Sequence, residues 1–179
     1  MTKVLIVVDM QNDFVDGALG SAEAVAIVPA VEARVRAAHE AGETILFTRD
    51  THPADYLSTQ EGKNLPVEHC IKGSPGWEII PALAPYTRKH PVLNKPTFGS
   101  VELGQALSSL VKGGGIESIT LIGLCTDICV ISNALLLKAF LPEVPILVDA
   151  ACCAGVSPES HRNALSAMAA CQIRIENAD

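Results

Sequence analysis

The segment Lys3 to Val8, KVLIVV, is an unbroken run of aliphatic and β-branched residues that stops at Asp9. A run without polar alternation describes a strand buried on both faces, as in parallel sheets covered by helices on either side. That constraint sets the reading of the rest. Residues 28–41 carry apolar positions at helical spacing, and Gly42 falls where a helix C-cap glycine is expected. Further strands are predicted at 44–48 (TILFT), near 90–94, at 118–123 (SITLIG), at 144–148 and at 173–176. Helices are predicted at 101–112, ending in the glycine run 113–115, then from the LCTDIC segment to about 140, and near 157–171. Six strands alternating with helices predict an α/β fold, a doubly wound, mostly parallel six-stranded sheet with helices on both faces.

A chain of 179 residues suits one domain with a sizeable core, and no repeat, linker or low-complexity tract divides residues 1–179. The net charge of −7, with few and scattered Lys and Arg, argues against nucleic acid as a partner. The first apolar run is too short for a signal peptide, and no stretch is long enough to span a bilayer. We therefore expect a cytoplasmic protein whose six cysteines are thiols rather than a disulfide framework. The segment from Arg49 to about Pro85, rich in Pro, Gly, His and acidic residues, has little periodicity. Loops of that length within compact domains are usually functional or disordered, and the ordered elements around this one favour function.

In doubly wound sheets the ligand sits beyond the carboxyl ends of the strands. Four predicted strands deliver reactive groups there: Asp9 ends the first, Asp50 follows the second, Lys95 follows the third, and Cys129 lies just past the fourth. Cys129 begins a helix, where unpaired N–H groups and the helix dipole favour a thiolate, and Thr126 and Asp127 can cap that helix. Taken alone, a cysteine reads as a small buried apolar side chain. Here the neighbouring strand ends favour a nucleophile. Thiol attack on an amide needs a base, and Asp9, at the end of an apolar strand, suits it because desolvation raises a carboxyl pKa. Asp9, Gln11 and Asp13 in DMQNDF also read as ordinary turn residues. Lys95 reads either as a solvated charge or as the cation that favours the thiolate.

Asp50 and His52 are alternate residues on an extended segment, with Glu61 and His69 further along. A carboxylate and two imidazoles suit zinc, iron or manganese, although histidines in a polar loop are also ordinary. His39, His90 and His161 read as surface residues. The backbone N–H of Cys125 can form an oxyanion hole with that of Cys129. Cys152 and Cys153 read as core, and no redox motif is evident.

The stretches VVDMQNDF, NKPTFGS and GLCTDICV, in this order and spacing, resemble the three motifs of the isochorismatase-like cysteine hydrolases, and within them the nicotinamidase and pyrazinamidase branch. The resemblance runs along nearly the whole chain. It implies Asp9, Lys95 and Cys129 as catalytic residues, and a cis peptide between Leu124 and Cys125. It also implies metal ligation by Asp50 and His52 in RDTH and by His69 in EHC. The commonest pattern has a further His, absent here, and Glu61 in TQEG resembles the glutamate some members use. The implied reaction is hydrolysis of nicotinamide through a thioester on Cys129, with a divalent metal, zinc first, holding the pyridine nitrogen. Phe14, Trp77 and Phe98 are expected as aromatic walls for the substrate, although each also reads as an ordinary core or loop aromatic, and homo-oligomers are expected. Rival readings are a carbamoyl-amide or vinyl-ether hydrolase of the same fold, or a non-catalytic small-molecule-binding module. The glycine-rich dinucleotide fingerprint is absent after the first strand.

Overall fold

A computed structural model describes residues 1–178. In chain order its elements are β1 (Thr2–Val8), α1 (Asn12–Val15), α2 (Ala22–Glu40), β2 (Thr44–Asp50), α3 (Gln60–Asn64), α4 (Ala84–Thr87), β3 (Val92–Lys95), α5 (Val101–Gly114), β4 (Ile116–Leu124), α6 (Ile131–Phe140), β5 (Ile146–Ala154), α7 (Pro158–Ala170) and β6 (Arg174–Glu176). The sheet order is β3-β2-β1-β4-β5-β6, and every adjacent pair is parallel. The direction of winding reverses between β1 and β4, which opens a crevice at their carboxyl ends. Among the described residues, no helix is long and apolar enough to cross a membrane.

Strand β1 shows why the opening run is unbroken. Val4, Ile6 and Val8 pack against α5, α6 and α7 on one face, through Leu103, Leu107, Ala134, Leu137 and Met168. Leu5 and Val7 face Val31, Val35 and Ala38 of α2, together with Ile80 and Leu83 of the long segment. Both faces are core, so neither tolerates a polar position.

Several boundaries differ from the sequence expectation. Helix α2 begins at Ala22 rather than at 28, because the Ser21 side chain accepts the Ala24 N–H at 3.0 Å and sets an N-cap. Strand β5 runs to Ala154, past the expected end at 148. Its pairing with β4 jumps from Leu121↔Val148 to Gly123↔Cys153, and the bulge between carries Asp149, whose polarity masks the continuation. Residues Thr126–Val130 form a π-helical turn ahead of α6, not the first turn of an α-helix. Gly123 has φ +113°, and a Cβ there would lie 2.1 Å from the Val8 carbonyl oxygen. Only glycine lets the ends of β1 and β4 approach so closely. That approach sets Asp9 beside the turn carrying Cys129.

Candidate active site

The strand ends converge on the Lys95 ammonium. Its Nζ lies 2.6 Å from Asp9 Oδ2, 3.1 Å from Asp50 Oδ1 and 3.3 Å from Cys129 Sγ, and it donates to the Thr97 carbonyl at 3.1 Å. Asp9 and Lys95 are both fully buried. Asp9 sits in the left-handed region, φ 48°, which aspartate tolerates better than most side chains. Its other oxygen accepts the Thr48 hydroxyl at 2.8 Å.

Burial raises the Asp9 carboxyl above its ordinary range despite the pull of Lys95. Burial alone would depress the Lys95 ammonium, but Asp9, Cys129 and Asp50 together hold it well above its ordinary value. The Cys129 thiol is pushed up by burial and by Asp9, more than Lys95 can offset. Burial and Asp9 thus work against the thiolate that the start of the helix is expected to favour, while Lys95 works for it.

A second group adjoins the first through Asp50. The ligand atoms of Asp50, His52, Glu61 and His69 all lie within 4.8 Å of one another. His52 Nε2 is 2.9 Å from Asp50 Oδ2 and 3.6 Å from Glu61 Oε1, and His69 Nε2 is 3.8 and 3.9 Å from the same two oxygens. His69 Nδ1 donates to the Val67 carbonyl at 2.8 Å, so Nε2 keeps its lone pair. His52 Nε2 is buried, and Asp50 Oδ2 at 2.9 Å is its nearest charged neighbour, so this nitrogen too faces the shared centre. Two imidazole nitrogens and two carboxylates facing one point fit a divalent metal. Glu61 comes from the first turn of α3, whose start is fixed by the Thr59 side chain accepting the Gly62 N–H.

A cavity of about 530 Å³ joins the two groups, with Cys129, Asp50, Glu61 and His69 in its walls. Phe14 and Phe98 are among its lining residues, and Phe98 is 45% exposed rather than part of the core. Trp77 does not line it, and that expectation is corrected. Its indole N–H donates to Thr51 Oγ1 at 2.8 Å, and the Arg49 guanidinium stacks 3.3 Å from its ring centroid. Those two contacts hold the indole away from the cavity.

The peptide between Leu124 and Cys125 is cis, as the motif resemblance implies. Cys125 lines the cavity beside Cys129, and its carbonyl accepts the N–H groups of Ile128 and Val130 at 3.1 and 3.0 Å. Thr126 and Asp127 do not cap the turn. The Thr126 hydroxyl pairs with His161 Nδ1 at 2.8 Å, and Asp127 Oδ1 accepts the Val156 N–H at 3.1 Å. The histidines read as surface residues are half-buried, and His39 and His90 share a hydrogen bond of 3.0 Å. All six cysteines are free thiols, and Cys152 and Cys153 are buried as expected.

Residues read as turn formers hold the site together. Buried Gln11 donates to the carbonyls of Asp50 and Trp77 at 2.8 and 2.9 Å and accepts the Asp50 N–H at 2.7 Å. Asp13 Oδ2 accepts the Cys70 N–H at 2.8 Å, which anchors the segment bearing His69. Asn133 donates to the carbonyls of Phe98 and Cys129 and accepts the Ser100 N–H, tying the Lys95 loop to the Cys129 turn. The signal for Gln11 and Asp13 was their place directly after a fully buried strand. Asn133 gave none, since it stands beside Ser132 in a mostly apolar helix.

Buried thiol, carboxylate and ammonium groups at the switch point of a doubly wound sheet are the equipment of a cysteine hydrolase. The chain belongs to the isochorismatase family: the Isochorismatase domain model matches residues 3–179. It is similar to the zinc-complexed pyrazinamidase of Pyrococcus horikoshii, with 30% identity, 98% of each chain covered and a TM-score of 0.80. The nicotinamidase/pyrazinamidase of Bacillus subtilis is 28% identical over 99% of this chain and 100% of its own, with a TM-score of 0.82. N-carbamoylsarcosine amidase from Thermoplasma acidophilum is 26% identical over 100% of this chain and 98% of its own, with a TM-score of 0.78.

Proposed function

We propose that this isochorismatase-family hydrolase cleaves the carboxamide of a small heteroaromatic amide, nicotinamide first, to the acid and ammonia. The observation that carries the reading is the position of Asp50: one oxygen meets the Lys95 ammonium beside Cys129, while the other faces the two imidazoles. A substrate in the cavity can thus meet a nucleophile at one end and metal donors at the other. The similarity to the pyrazinamidases supports the same choice.

Cys129 Sγ attacks the amide carbonyl carbon as Asp9 takes the thiol proton, forming the C–S bond and an oxyanion. Backbone N–H groups of Cys125 and Cys129 are assigned to that oxyanion. Lys95 stays charged throughout and offsets the negative charge that Asp9 and the sulfur share. The C–N bond then breaks as Asp9 returns the proton to the leaving nitrogen, releasing ammonia and leaving a thioester. A water molecule, deprotonated by Asp9, attacks the thioester; the C–S bond breaks and the proton returns to sulfur, releasing the acid. A carboxyl raised by burial suits both directions of transfer, because its ionised form is a stronger base than an ordinary carboxylate. Asp50, His52, Glu61 and His69 would hold the divalent metal, zinc first and iron or manganese otherwise, and when bound it supplies a Lewis-acidic anchor for a pyridine nitrogen.

The second reading is a non-aromatic carbamoyl amide, supported by the similarity to N-carbamoylsarcosine amidase. Ammonia release from nicotinamide, before and after chelation, decides between them. Release that falls on chelation is expected. A protein that holds metal and an alkylatable Cys129 yet releases none would move the assignment to carbamoyl substrates.

A further inference from the structure

Beyond the residues that face the cavity, the turn carrying Cys129 is held from behind by α7. Thr126, the first residue of that turn, is fully buried, and its hydroxyl meets His161 Nδ1 at 2.8 Å. The next residue, Asp127, accepts the Val156 N–H at 3.1 Å, so two successive residues of the turn are tied to the start of one helix. That start is itself fixed. The Ser157 hydroxyl accepts the Ser160 N–H at 3.1 Å, while Ser160 Oγ accepts the Ser157 N–H at 3.0 Å, a reciprocal capping box directly before His161. Close approach is also built in: a Cβ on Gly155 would lie 2.9 Å from the His161 nitrogen.

We infer that His161 is a positioning residue for the reaction, acting through Thr126 to set the orientation of the backbone N–H groups of Cys125 and Cys129. Thr126 lies between them in the chain, one residue beyond the cis peptide that joins Leu124 to Cys125. A shift of its backbone would displace the turn on which both assigned oxyanion donors sit. A buried hydroxyl has few alternative partners, so loss of the imidazole frees the turn to seek another hydrogen bond. His161 touches neither the cavity near Cys129 nor the groups around Lys95. It borders a separate cavity of about 550 Å³, lined with it by Gly155, Pro158 and Arg162.

The inference rests on Cys129 forming an acyl intermediate, and the test separates the two ideas. His161→Leu, Thr126→Val, the double variant and His161→Asn are compared with wild type in the metal-loaded protein. The expected result for His161→Leu is a kcat lower by about tenfold to a hundredfold, the range of a disturbed oxyanion donor, with KM within about twofold. Alkylation of Cys129 by iodoacetamide should stay within about twofold, because Asp9 and Lys95 are untouched. The double variant should lose no more than either single variant, and Asn, which offers a hydrogen-bonding atom in the Nδ1 position, should recover most of the rate. Amide hydrogen exchange in the peptide spanning 124–130 should quicken in both single variants, a readout that needs no substrate. If wild type turns over no amide, the Proposed function fails while the exchange measurement still decides the role of His161. Unchanged exchange and kcat would overturn the inference. So would a uniform loss of protection across α7 with kcat, KM and alkylation all impaired, since that describes support for the fold alone.

Discussion

The two ends of the cavity are built by different means. At the Cys129 end, Asp9 and Lys95 are placed by β1 and β3, and the paired ladder fixes each strand end to its neighbours. At the metal-donor end, only Asp50 belongs to the sheet; His52, Glu61 and His69 come from the long segment between β2 and β3. That segment is held by individual side-chain contacts: Gln11 on Asp50, Asp13 on Cys70, Thr59 at the head of α3, and a backbone bridge between His52 and Ile71. One end is thus placed by cooperative strand pairing and the other by a few separate hydrogen bonds. The difference teaches which end single substitutions should disturb locally.

Loss of the proposed nucleophile makes the sharpest break. Cys129→Ala should reduce turnover by on the order of 10⁴-fold or more, because no other group supplies the covalent step. Metal content should be unchanged, and measurable amide turnover by this variant would refute the assignment. Next in size, His52→Ala should remove a ligand and strip the metal, lowering activity on a pyridine amide by about tenfold to a hundredfold. Elemental analysis checks it, and a full complement of metal in the variant would separate His52 from the site.

Asp13→Ala tests the comparison itself. It leaves the Cys70 N–H without its partner and frees the His69 segment, so metal affinity should fall by about tenfold, measured by competition with a chromophoric chelator. Cys129 alkylation should stay at the wild-type rate. If both fall together, the two ends are not independently built.

The smallest effect concerns pH. Asp9 must be ionised to accept the thiol proton, and its carboxyl is raised from the ordinary 3.8. The acid limb of kcat/KM should therefore lie above that value, with activity lost as pH falls through it. Thr48→Val removes a hydrogen bond that favours the ionised form, so the limb should move further upward. A limb that moves downward would contradict the role of Asp9.

The doubly wound sheet and the strand-end residues were legible in the sequence because burial on both faces demands unbroken apolar runs, and those runs stop where the chain meets polar chemistry. Asp9, Asp50, Lys95 and Cys129 could be lined up from that rule alone. Local sequence did not reveal which polar residues turn inward. Gln11 and Asp13 read as turn formers, and His161 as a surface histidine, because their partners lie far along the chain. The tertiary structure alone decided that Trp77 turns away from the cavity to Thr51 and Arg49, and that burial and Asp9 raise the Cys129 thiol. Periodicity reports burial one element at a time. Hydrogen-bond pairing and desolvation depend on distances between elements, which exist only once the sheet has formed.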